Sequence, residues 1–184
     1  MLPIGAWAYH EGPGQDRLAL EKCDELLARA HDSAVHGDWR SAIGDYESAL
    51  AELPEGQDAL ADRVRLELNK SRMQQRGLSE ARDELVAMVD HLTADADADP
   101  ELLAEARRSL GRAQFFRTWL MRLEGLTREE WEPEIEAARQ NFRLLAEQAA
   151  TPAEKSERQQ DLEAAVRLAR LEIEDLQGLP LPGE

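Results

Sequence analysis

The chain of 184 residues has a single cysteine, Cys23, so no internal disulfide can staple it. A lone thiol on a helix, without metal-type neighbours, reads as a small core residue. Basic residues are in deficit: 22 Lys and Arg stand against 38 Asp and Glu, a net charge of −16. Such a field repels phosphate backbones and anionic lipid surfaces, which argues against nucleic acid and membrane as partners. No apolar run approaches the roughly 18 residues of a membrane span. Residues 1–7 are apolar but lack a basic residue and are too short for a signal peptide, so a cytoplasmic location is expected. Aromatic residues make up only 5%, and β-branched residues are scarce, which removes the types that favour strands. Ala, Leu, Glu and Arg dominate instead, and these lose little rotamer freedom in a helix. The fold class is all-α.

Chemistry-bearing patterns are equally sparse. There is no Gly-rich phosphate loop, no nucleophile motif and no Cys/His pair. His10, His31, His36 and His91 are scattered, and the spacing of His31 and His36 puts them on different helix faces, so no metal is assigned. Asp95, Asp97 and Asp99 resemble the start of a calcium loop. Pro100, however, stands where glycine must make the turn, and Ala106 where a bidentate glutamate belongs. A solvated linker is the reading. No catalytic residue and no cofactor are assigned, and the protein is not expected to be an enzyme.

Punctuation along the chain divides it into helices. Residues 1–14 carry Pro3, Gly5, Gly12, Pro13 and Gly14 and read as an irregular arm. The first helix starts near Gln15, with Leu20, Cys23, Leu27, Ala30 and Ala34 inward, and Gly37 closes it. A second runs from about Trp39 to Leu53, a third from about Gln57 to Arg76, and a fourth from about Ser79 to Leu92. Asp99 followed by Pro100 starts a fifth, an acceptor cap and then a proline whose missing N–H costs nothing there. This helix reaches about Glu124, with Leu103, Ala106, Leu110, Phe116, Leu120 and Leu123 as its inner stripe. Pro133 predicts a short turn at 127–131 and a sixth helix from about Glu132 to Ala149. Thr151, Pro152 and Glu154 open the last helix, to about Leu176, with Leu162, Val166, Ala169, Ile173 and Leu176 on one side. Residues 178–184 read as a loose tail, so the helical domain spans 15–177. Short connections make neighbouring helices antiparallel.

Residues 23–56 resemble a tetratricopeptide repeat. The resemblance is carried by Ala30, Gly37, Asp38, Trp39, Ala42, Tyr46, Ala49, Leu50 and Pro54. Looser echoes follow at Gly77, Ala81, Leu85 and Met88, and again at Ala138, Phe142 and Ala146. It implies a right-handed stack of antiparallel helical hairpins, about seven helices in an α-solenoid, with the last helix capping the exposed end. It also implies a protein-binding adaptor or scaffold whose first helices line a concave groove. Leu27 and His31 occupy the face where the family's carboxylate-clamp variety has Lys and Asn, so chaperone docking is not implied.

Against the overall charge, the third and fifth helices are locally basic. Arg108, Arg112, Phe115, Trp119 and Arg122 fall on one stripe of the fifth, and Arg65, Asn69, Arg72 and Arg76 on one stripe of the third. Placed in the groove that the resemblance implies, they suit another protein or peptide with an acidic segment. The partner-binding residues expected are His31, Arg72, Arg76, Arg108, Arg112, Phe115, Trp119 and Arg122. The competing reading pairs these arginines with glutamates of adjacent helices and puts Phe115 and Trp119 in a core. A second functional reading is an assembly subunit that docks through Trp7 and Tyr9 of the N-terminal arm or through its convex face. An open solenoid also leaves its ends exposed for self-association.

Overall fold

A computed structural model describes residues 13–172 and 175–176. Trp7, Tyr9 and His10 of the expected arm, Ile173, and the expected tail at 178–184 lie outside the described residues. Those described form seven helices and no strand: α1 (Pro13–Val35), α2 (Trp39–Glu52), α3 (Asp58–Gln74), α4 (Leu78–Ala94), α5 (Pro100–Leu123), α6 (Arg128–Glu147) and α7 (Pro152–Arg170). None of them is long and apolar enough to cross a membrane. The chain divides into two compact units, Met1–Gly77 and Leu78–Glu184.

In the first unit α1 packs on α2 and α2 on α3. Gly37, at φ 75°, takes the left-handed conformation that ends α1, and Asp38 accepts a hydrogen bond from the Ser41 N–H to start α2. Ala30, Ala42 and Ala49 are fully buried and Tyr46 nearly so, which lets the two helices approach closely. Cys23 lies in the same core, its Sγ 3.7 Å from the Ala49 carbonyl. Burial, helped by Asp24 and Glu52, pushes its thiol pKa up, which keeps it protonated and inert. Val64 and Leu68 bring α3 into this cluster.

In the second unit α5 packs on both α4 and α6, and α6 packs on α7. Its core joins Phe115 of α5, five residues of α6 from Trp131 to Leu145, Ala165 and Leu168 of α7, and Leu176 beyond it. Arg82 of α4 donates to both carboxylate oxygens of Glu134 on α6, at 2.8 Å each, the forked geometry in which Arg–carboxylate pairs are strongest.

Three details differ from the expectation. Pro133 lies inside α6 rather than before it. Thr127 and Glu130 form a reciprocal capping box and Trp131 is buried, so the first turn holds although Pro133 leaves one carbonyl without its helical donor. On α5 the stripe expected inward is only partly so: Leu120 and Leu123 are 41% and 42% exposed, while Phe115 is 1% exposed. A helix with neighbours on two sides buries more than one row. The last helix, α7, ends at Arg170 rather than near Leu176. Its buried row is Asp161, Ala165 and Leu168, whereas Leu162, Val166 and Ala169 are half-buried and Leu176, past the helix, is buried as expected. The helix is rotated by about one residue, roughly 100°, from the position its apolar pattern predicts.

Candidate interaction surface

The arginine and aromatic stripe of α5 splits into a capping device, a core residue and an ion cluster, all within the second unit. Arg122 is 9% exposed and donates to the Leu168 and Leu171 carbonyls at the end of α7. These are carbonyls that a helix end leaves without intrahelical donors, and a cation also complements the negative end of the helix dipole. Its guanidinium sits 4.8 Å from the centroid of the Trp131 ring, and burial lowers its pKa. Phe115 meets Phe116 edge to face, with ring centroids 5.8 Å apart. Trp119 is half-buried against the same core, its Nε1 3.5 Å from the Leu176 carbonyl.

Arg108 donates to Glu157 and lies 3.5 Å from the Asp161 carboxylate, a charge contact without hydrogen-bond geometry. Burial works against the Arg108 charge, but the hydrogen bond to Glu157 and the charges of Asp161, Glu157 and Glu105 outweigh it and raise its pKa. Asp161 is 6% exposed. Burial raises its pKa, and the opposing fields of Arg112 and Arg108 do not cancel that rise. The Glu157 pKa is lowered, chiefly by the hydrogen bond from Arg108. Arg112 thus faces the same acidic pair, with its Nε buried.

In the first unit Arg72 of α3 pairs with Glu47 of α2 at 2.9 Å. Asn69, expected on the same stripe, is 1% exposed, which breaks the row. Arg76 is exposed in the turn after α3 rather than on the helix, and His31 is exposed on α1. His31, Arg72 and Arg76 therefore belong to one unit and Arg108, Arg112, Phe115, Trp119 and Arg122 to the other.

A concave surface does lie beside one of the eight. An open cavity of about 590 Å³ is bordered by the start of α5, the end of α6 and the start of α7. Leu103, Ala104 and Leu145 supply apolar lining, and Arg107, Arg108 and Arg158 line it with guanidinium groups. Arg107 donates to the Thr93 hydroxyl at 3.0 Å and Arg158 to the Leu145 carbonyl at 2.9 Å, so both are held in place. Glu101, Glu105 and Glu154 also line it, but Glu154 is tied into the α7 cap by the Ala150 N–H. The size is that of a site for a few side chains. Sequence reasoning singled out Arg108 but not Leu103 as a floor or Arg158 as a neighbour, because only the packing of α7 brings them together.

The run of Asp95, Asp97 and Asp99 makes a linker: Asp95 accepts from the Asp97 N–H and Asp99 from the Glu101 N–H. Among the described residues no group of three or more His, Cys, Asp or Glu is placed to hold a metal ion. In comparisons with known proteins, no family model, no curated protein and no solved structure matches the chain.

Proposed function

We propose that this protein is a tetratricopeptide-like helical scaffold that holds another polypeptide, and that it performs no reaction of its own. The observation that carries the reading is the α1–α2 pair. Its alanines at 30, 42 and 49 are fully buried, Tyr46 fills the space beside them, and Gly37 makes the left-handed turn between the helices. These are among the residues that carry the resemblance, and their burial and the turn at Gly37 support the reading. A repeat of this kind exposes long helix faces to partners and needs no closed polar pocket.

The docking place we assign is the cavity at the start of α5, with Arg107 and Arg108 as its basic wall and Leu103 as its floor. The N-terminal ends of α5 and α7 border it, and their dipoles favour negative charge. Its occupant is a short segment of a partner protein with an apolar side chain next to an acidic one. Capture from the native cell lysate tests this, with the wild type beside Leu103→Lys/Arg107→Glu and beside Arg107→Glu alone. Circular dichroism checks that each variant is folded. A partner held by the wild type and lost by both folded variants supports the assignment. A partner held equally by all three removes the cavity from the function.

A further inference from the structure

The face of α7 that its rotation leaves outward carries a pattern of its own. Leu162, Glu163, Val166, Arg167, Arg170 and Leu171 line an open groove of about 480 Å³. The three apolar residues are half-buried, with Leu162 and Leu171 at the groove's edges packed against the unit's own core, while Glu163, Arg167 and Arg170 are exposed. Among the described residues none of these three charged side chains has an ion-pair partner. Toward the start of α7 the surface turns polar, with Gln159 and Gln160 exposed, so the apolar patch is bounded.

The order of the lining residues is self-complementary. Read from either end, the groove begins with a leucine, then a charge, then the central pair Val166 and Arg167. The charge near the start is Glu163 and the one near the end is Arg170, opposite in sign. Counted along the sequence, Leu162 and Leu171, Glu163 and Arg170, and Val166 and Arg167 are each centred between Val166 and Arg167, with Leu171 the extended residue just past the helix end. At 1.5 Å of rise per residue, Glu163 and Arg170 are about 10 Å apart along the axis, and a full two turns keep them on one face.

We propose that this face pairs two copies of the chain, with the two α7 helices antiparallel about a two-fold axis between Val166 and Arg167. A two-fold operation reverses the helix direction and keeps the face. It therefore sets Glu163 of each copy at the height of Arg170 of the other, twice per dimer. The same operation in a parallel arrangement would oppose like charges, so the sequence of charges selects the antiparallel pairing. Val166 of each copy lies between the two ion pairs, and Leu162 and Leu171 flank them on the outside. A contact confined to one helix face is smaller than the roughly 1,200 Å² that stable complexes bury, so the dimer is weak and concentration-dependent.

The test follows from the two-fold symmetry. Glu163→Arg alone faces arginine with arginine, and Arg170→Glu alone faces glutamate with glutamate. Mixing the two variants restores both ion pairs in a mixed dimer. Sedimentation velocity on the full chain, from micromolar to about 1 mM, is expected to show wild-type dimers growing with concentration. Each variant alone is expected to stay monomeric over that range, and the equimolar mixture to recover the dimer. Both positions are exposed, and circular dichroism confirms that helicity is unchanged. A wild type that remains monomeric throughout overturns the proposal and leaves the groove to another occupant. Variants that dimerise like the wild type, or a mixture that recovers nothing, overturn the antiparallel pairing.

Discussion

Replacing Gly111 with alanine adds a single methyl group at a point on α5 where α6 leaves no room for it. A Cβ built there lies 2.6 Å from Cε1 and 2.9 Å from Cζ of Phe142, against the 3.5–4.0 Å of a comfortable carbon–carbon contact. The ring is 1% exposed and belongs to the central cluster of its unit, so a shift of about 1 Å must propagate into neighbours. Two effects compete. Alanine in a helix interior is about 1 kcal/mol better than glycine, and overpacking a filled core costs about 1–3 kcal/mol. With a buried ring as the obstacle the upper end applies, and Gly111→Ala is expected to lose about 2 kcal/mol net. Urea denaturation followed by circular dichroism measures this as a lowered midpoint at an unchanged slope. Adding Phe142→Leu removes the obstructing ring, so the double variant should be more stable than the sum of the singles by about 1 kcal/mol or more. A Gly111→Ala chain as stable as the wild type, or more so, would refute the close approach of α5 and α6.

Other expectations concern the same unit. Arg122→Ala removes two charge-assisted hydrogen bonds to the end of α7 and the contact with Trp131, and should cost about 3 kcal/mol in urea denaturation. Arg122→Lys, which keeps the charge and one donor direction, should recover part of that. Trp119→Ala should cost about 2–3 kcal/mol, less than for a fully buried ring because Trp119 is only half-buried; a loss below about 0.5 kcal/mol would return Trp119 to the surface. Asp161 bears on acid stability. Its folded-state pKa is raised, so as pH falls through that value the folded chain takes up a proton more readily than the unfolded one and gains stability. Glu157, with a lowered pKa, works the other way and loses its contribution as pH falls through its own folded value. Asp161→Asn removes the first effect only, so the loss of stability between about pH 7 and pH 4 should be larger in that variant than in the wild type.

Helix identity and helix ends were legible because they depend on local chemistry. Asp99 with Pro100, Thr151 with Pro152 and Glu154, and Gly37 sit at boundaries where the sequence predicts them, each satisfying backbone groups or turning the chain without help from distant residues. Pro133 was misread because a proline early in a helix is costly only if nothing else holds the first turn. Here the Thr127–Glu130 box and buried Trp131 hold it. The basic stripe on α5 was legible as a row, but its destination was not. Periodicity says which residues share a face and not what covers that face, and the acids that meet Arg108 lie on α7, 49 residues away for Glu157. For the same reason the Arg82–Glu134 fork, spanning 52 residues, left no trace in local pattern. The expected row of α7 is inward only in part: Leu176 is buried and Leu162 and Ala169 pack against the core, but the fully buried row on the helix is Asp161, Ala165 and Leu168, which leaves Val166 toward the groove.

The most direct test of the scaffold reading is the affinity of the captured partner's docking segment for the wild type and for Arg107→Glu, measured by calorimetry on the full chain. The cavity account predicts a saturable one-to-one complex that weakens at least about tenfold, or 1.4 kcal/mol, in the variant. Equal affinity for both chains, or no segment that binds at all, would contradict it.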